Sequence, residues 1–165
     1  MYRVKQFIWA IKSIVEEVDY KFVDKFLSIH ERQLFNKLSK SDKHHSIRVS
    51  KDAIDIIEKS NYDVKLEKVA KAALLHDIGK IDAGLNIFEK SIMVILDKAS
   101  KGKFKKYSNI KQVDIYYNHP EKGIDLLKKI DIYDKEFLDS IRYHHEVDKS
   151  NNIILEIIRE SDNRN

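Results

Sequence analysis

The stretch Leu66-Glu67-Lys68-Val69-Ala70-Lys71-Ala72-Ala73-Leu74-Leu75-His76-Asp77-Ile78-Gly79-Lys80 decides how this chain folds. Apolar residues return at Leu66, Val69, Ala70, Ala73 and Leu74, the spacing of a helix with one buried face. The small residues Ala70, Ala72 and Ala73 let a neighbouring helix approach closely. Gly79 is placed to end the helix. His76 and Asp77, adjacent and so about 100° apart around a helix, therefore arrive at a helix end, where both can reach one groove.

The same spacing extends in both directions. Phe7, Ile11, Ile14, Val15 and Val18 form the stripe of a first helix, and Phe22, Val23, Phe26 and Leu27 that of a short second one. Ser28 followed by Glu31 has capping-box spacing and opens a helix through Phe35 and Leu38. Ser41 or Asp42 is expected to cap the next helix, which carries His45, Val49, Ala53, Ile56 and Ile57 and ends near Asn61. Further helices are expected over 87–99, 110–118, 120–130, 135–144 and 153–162, with Pro120 in a first turn. Alternating strand-like runs bounded by Asn-Gly or Asp-Gly turns are missing. The expectation is an all-α single domain: a helical bundle over 41–165 with an N-terminal helical extension, 1–40, packed on it as a cap.

Composition narrows the function. The chain has 165 residues, 42% hydrophobic and 35% charged, with four Gly and one Pro, which excludes a disordered tail or a collagen-like fibre. There are 31 Lys plus Arg against 27 Asp plus Glu, a formal +4, and only six of those cations are Arg, the residue suited to bidentate base contacts. With no Cys, thiol nucleophiles, Fe–S clusters and disulfide scaffolds are excluded. The apolar stretch 7–11 is broken by Lys12 and too short for a secretory signal, and the run 92–96 cannot span a bilayer. A cytoplasmic protein is expected.

Seven His occur, at positions 30, 44, 45, 76, 119, 144 and 145. Five of them fall at helix ends or on apolar faces beside Asp or Glu. Neutral imidazoles and carboxylates brought together from separate helices make a site for one or two divalent ions, with nitrogen ligands for Fe, Mn, Co, Ni or Zn and a carboxylate able to bridge two of them.

The ordered set His45-Ser46-x-x-Val49, His76-Asp77-Ile78-Gly79-Lys80, His119-Pro120-x-x-Gly123, His144-His145-Glu146 and then Asp162 resembles the HD-domain metal-dependent phosphohydrolases, in their HDIG subgroup, over about residues 41–163. The resemblance implies an all-helical fold and hydrolysis of a phosphate ester or anhydride. It implies a metal held by His45, His76, Asp77 and Asp162. In two-metal members Asp77 bridges and His119 and His144 bind the second ion, with His145 an additional ligand. Fe or Mn is the expected metal, with Mg, Co, Ni or Zn as alternatives. Lys80 is placed to contact a phosphate, and Arg48, one turn after His45, is a second candidate for substrate. Of the adjacent pair, Ser46 and Val49 point to His45 over His44. The segment 147–152 lacks the Gly-Tyr-Pro signature of the cyclic-di-GMP phosphodiesterase branch, which disfavours that substrate. The bis(nucleosidyl) tetraphosphate-hydrolysing members are closer in size.

The reading that follows is a phosphohydrolase acting on a nucleotide or related small phosphate through metal-activated water. A phosphate dianion repels hydroxide, and two ions about 3.5 to 4 Å apart offset that repulsion while generating the nucleophile. No activated Ser, Thr or Cys suggests a covalent intermediate. The alternative is a nucleotide-binding signalling module of the same fold without turnover. The Lys98, Lys101, Lys103, Lys105 and Lys106 run reads as a solvated loop sooner than a nucleic-acid surface, and nothing in the sequence fixes an oligomeric state.

Overall fold

The computed structural model describes residue 9, residues 15–81, residue 100, residues 103–146 and residues 151–165. The expected helix 87–99, the first part of the stripe from Phe7, and Lys98 and Lys101 lie outside them. Seven α-helices are described: α1 Tyr20–Phe26, α2 Ile29–Phe35, α3 Lys40–Glu58, α4 Leu66–Leu75, α5 Lys111–Leu127, α6 Lys135–Arg142 and α7 Ile153–Arg164. Short 3₁₀ turns cover Ile78–Lys80 and Lys103–Tyr107. There is no strand among the described residues, and the fold is all-α. No described helix is long and apolar enough to cross a membrane.

The bundle is organised around α4. Val69, Ala70, Ala72, Ala73, Leu74 and Leu75 are all fully buried, because α4 is covered by α3, α6 and α7 and by the N-terminal pair α1 and α2. Alanines make the close α3–α4 contact possible, and there Ser50 Oγ donates to Ala70 O at 2.9 Å. Val23, Leu34 and Phe35 of the N-terminal helices join the same core.

Helix starts follow side-chain caps. Ser28 Oγ accepts from Glu31 N at 3.4 Å and Glu31 Oε2 from Ser28 N at 2.6 Å, the reciprocal pair expected for α2. For α3 the cap is Ser39, whose hydroxyl accepts from Asp42 N at 3.2 Å, correcting the expected Ser41 or Asp42. Asp42 instead sits at the third helical position and accepts from Ser39 Oγ at 2.6 Å. Asp134 and Asn152 cap α6 and α7.

Glu31 has a second function in the packing. Its side chain is fully buried and accepts from the Tyr133 hydroxyl at 2.9 Å and from Lys71 Nζ at 3.0 Å, so one carboxylate ties α2 to α4 and to the α5–α6 connection. Burial and the adjacent carboxylate push the Tyr133 hydroxyl far above the ordinary tyrosine range.

The two expected helices 110–118 and 120–130 are one. α5 runs without interruption through Pro120, correcting the placement of that proline in a first turn. A proline inside a helix leaves the carbonyl four residues back, here Tyr116 O, without its backbone donor. His119 Nδ1 lies 3.1 Å from Tyr116 O and supplies the missing proton, so the loss is compensated by the side chain next to the proline.

Candidate metal centre

Asp77 sits one residue past the α4 C-cap, and its side chain is 2% exposed. Its two oxygens face different partners. Oδ2 lies 3.7 Å from His45 Nε2 and 3.5 Å from His76 Nε2, and accepts from Lys80 Nζ at 2.7 Å. Oδ1 lies 3.2 Å from His119 Nε2 and 3.8 Å from His144 Nε2. Asp162 of α7 completes the first side, with its Oδ1 3.0 Å from His45 Nε2 and 3.9 Å from His76 Nε2. His145 completes the second, its Nε2 lying 3.2 Å from that of His119. The donors thus form two groups, each with its atoms within 4.8 Å: His45, His76 and Asp162, and Asp77, His119, His144 and His145. Five elements remote in sequence (α3, the α4 end, α5, the α6 end and α7) meet at one carboxylate.

The histidine rings are held in one tautomer by the backbone. His76 Nδ1 lies 2.8 Å from Ala73 O, His144 Nδ1 2.6 Å from Ile141 O, and His119 Nδ1 3.1 Å from Tyr116 O. A carbonyl only accepts, so each Nδ1 carries the proton and each neutral ring presents its Nε2 lone pair to Asp77. This leaves electron-pair donors facing one another. His76 Nε2, His144 Nε2 and Asp77 Oδ1 are buried without a hydrogen-bond partner, an arrangement costly for a structural core and suited to a cation.

The electrostatics agree. Burial alone would raise the Asp77 pKa, but the Lys80 ammonium beside it holds it well below the usual carboxylate range. Burial likewise works against an ionised Asp162, and the His45 hydrogen bond outweighs it and lowers that pKa. Burial lowers His119, helped by the Lys80 charge, and lowers His144 much further, helped by His145, His76 and His119. His145 is exposed as a residue, yet its ring nitrogen points inward, and desolvation there with His119 and Lys80 pushes it down to about 4. Burial opposes the charge on Lys80, but Asp77 and Asp42 more than restore it, so its pKa is raised. The surroundings thus favour the ionised form of Asp77 and Asp162 and the neutral form of His119, His144 and His145, the ligand states a metal requires.

Gly79 matters in a way its expected role did not include. A Cβ there would lie 1.9 Å from His119 O and 2.7 Å from Gly123 N. Gly123 in turn packs with Gly79 N 3.3 Å from where its own Cβ would be. The glycine is needed because the turn after Asp77 lies directly on α5 beside His119, and the helix already ends at Leu75. Arg48, expected near substrate, has its guanidinium 4.7 Å from the centre of the Trp9 ring, in a cavity it shares with Glu16, Glu17, Asp19 and Lys51. The neighbouring His44 Nε2 lies 3.2 Å from Glu16 O, pointing away from the group that holds His45. Lys105 and Lys106 are exposed on the second 3₁₀ turn.

Imidazole Nε2 atoms and carboxylate oxygens, three of them buried without a hydrogen-bond partner, make a donor set that fits divalent ions of the Fe, Mn, Co, Ni or Zn type. The class is therefore a helical bundle with a buried His/Asp group that could hold a metal. The family model described as HD domain matches residues 43–164, and the chain belongs to that family, the HD-domain metal-dependent phosphohydrolase superfamily. No curated protein and no solved structure matches the chain.

Proposed function

We propose that the protein hydrolyses a phosphate ester or anhydride of a nucleotide or related small phosphate. The observation that carries this reading is the division of the Asp77 carboxylate, with Oδ2 turned to His45 and His76 and Oδ1 to His119 and His144. A carboxylate so placed could serve ions on both of its sides. Bound divalent ions supply a water ionised near neutral pH and a clamp on phosphoryl oxygens. The proposed ligands are His45, His76, Asp77 and Asp162 on one side, and Asp77, His119, His144 and His145 on the other. The Nδ1 hydrogen bonds of His76, His119 and His144 orient the rings before any ligand arrives. Lys80 is the proposed phosphate contact: its ammonium sits at Asp77 on a side chain 26% exposed, so it can offer charge to a substrate oxygen arriving from solvent. Arg48, seated on Trp9, is not assigned that part.

The test is to load purified protein with Mn²⁺ or Fe²⁺ and present a panel of nucleoside mono-, di- and triphosphates, cyclic nucleotides and dinucleoside polyphosphates. Hydrolysis of at least one of them, followed by product nucleotide or phosphate, that disappears in D77N is expected. A fully metallated protein that hydrolyses none of them, read as nucleotide products as well as free phosphate, refutes the proposal in favour of a nucleotide-binding module.

A further inference from the structure

We propose that Lys80 is the resident counter-cation of the metal-free centre, so that an ion settles among His45, His76 and Asp162 only as the ammonium leaves Asp77, while the opposite side fills without displacing a charge. The inference rests on reading both donor groups as ion sites, and it concerns their order of filling.

The two sides of Asp77 are not equivalent. Lys80 Nζ lies 2.7 Å from Oδ2, closer than either His45 or His76, at 3.7 and 3.5 Å. That oxygen already holds a full positive charge at contact distance. The groups facing Oδ1 are imidazoles, with His119 Nε2 at 3.2 Å and His144 Nε2 at 3.8 Å. Two cations at contact with one carboxylate oxygen repel each other strongly in a partly dry site, so an ion on the Oδ2 side competes with Lys80. The chain gives the ammonium somewhere to go. Lys80 is three residues from Asp77, which caps the 3₁₀ turn that Lys80 ends, and its side chain is 26% exposed where that of Asp77 is 2% exposed, so a rotation about its own side-chain bonds can take the charge toward solvent. Filling of the Oδ2 side would then deliver Lys80 to the position where a phosphate arrives.

Calorimetric titration of the metal-free protein with Mn²⁺ tests this on binding alone. The wild type is expected to show a tighter and a weaker class of site. K80M is expected to tighten the weaker class about tenfold, within the usual range of coupling between sites, and to tighten the other class clearly less, since the Lys80 charge reaches His119 and His145 only across the carboxylate and not at contact. K80R keeps the charge and is expected to keep both affinities, which guards against a K80M variant that folds poorly, as circular dichroism would reveal. A weaker class unmoved by K80M, both classes tightened alike, or K80R behaving as K80M overturns the inference. Two bound ions indifferent to K80M defeat this proposal alone, whereas a wild type that takes up no Mn²⁺ defeats it together with the reading of the donor groups.

Discussion

Replacing Gly79 by Ala puts one methyl group where the backbone of α5 already is. Its Cβ would stand 1.9 Å from His119 O and 2.8 Å from His119 C, and real Cβ contacts essentially never fall below 3.0 Å. The gap must therefore open by at least 3.0 − 1.9 = 1.1 Å. Both atoms are backbone, so no side-chain rotation relieves the clash, and the turn holding Asp77 must move away from the helix holding His119. Forced overpacking of this kind costs about 1–3 kcal/mol. The same displacement lengthens the 3.2 Å approach of His119 Nε2 to Asp77 Oδ1 by a comparable amount, and a misplacement of about 1 Å in a reactive constellation costs on the order of 10²-fold in rate. G79A should thus lower stability by about 2 kcal/mol in urea denaturation of the metal-free protein and weaken binding of one Mn²⁺ more than the other. A G79A protein with unchanged midpoint and unchanged Mn²⁺ affinities would refute the packing argument. G123A meets Ile78 Cγ2 at 3.1 Å and Gly79 N at 3.3 Å, contacts that ask for only a few tenths of an ångström, and should be the milder of the two.

Three further outcomes follow from single contacts. His145 has its pKa lowered from 6.5 to about 4 in the folded protein, so its contribution to stability is complete above about 6.5 and is lost as pH falls toward about 4. The metal-free wild type should lose denaturation midpoint through that window, H145Q should lose less, and parallel curves for the two would contradict the assignment. Y133F removes the 2.9 Å hydrogen bond to Glu31 and should cost about 1 kcal/mol. E31A strands Lys71 and Tyr133 together and should cost about 3 kcal/mol in the same denaturation, an order that equal losses would reverse. P120A returns a backbone donor to Tyr116 O, in competition with His119 Nδ1 at 3.1 Å. It should leave the fold at least as stable while weakening one Mn²⁺ site several-fold, and an unchanged affinity would show that the ring does not depend on the proline.

Much of this arrangement is readable in the chain. The helical period finds α4 and α7, the Ser28 and Glu31 spacing finds the capping box, and the order of His and Asp residues selects the seven side chains that gather at Asp77. What local pattern does not carry is contact between distant segments. Gly79 reads as a helix stop because glycine commonly is one, yet its necessity comes from α5, forty residues on. Pro120 reads as a helix start because of its missing N–H, but the side chain beside it replaces that donor. Glu31 reads as half of a cap, and nothing nearby in sequence shows that Lys71 and Tyr133 share it. Arg48 is one turn from His45 on the same helix, and the structure seats it over Trp9.

The three anchored histidines obey one rule that joins the fold to the site. A helix leaves its last carbonyls without backbone donors. Ala73 and Ile141 belong to the last turns of α4 and α6, and the imidazoles three residues on, His76 and His144, donate to them. α5 has no end at this place, yet Pro120 opens the same vacancy at Tyr116 O, and His119, again three residues on, fills it. In each case a carbonyl in need of a proton fixes Nδ1 as the donor and turns Nε2 toward Asp77. Helix ends converging on a point therefore do more than position three rings. They select the tautomer in which all three nitrogens offer lone pairs inward, and a proline inside α5 lets a continuous helix do what the other two achieve by stopping.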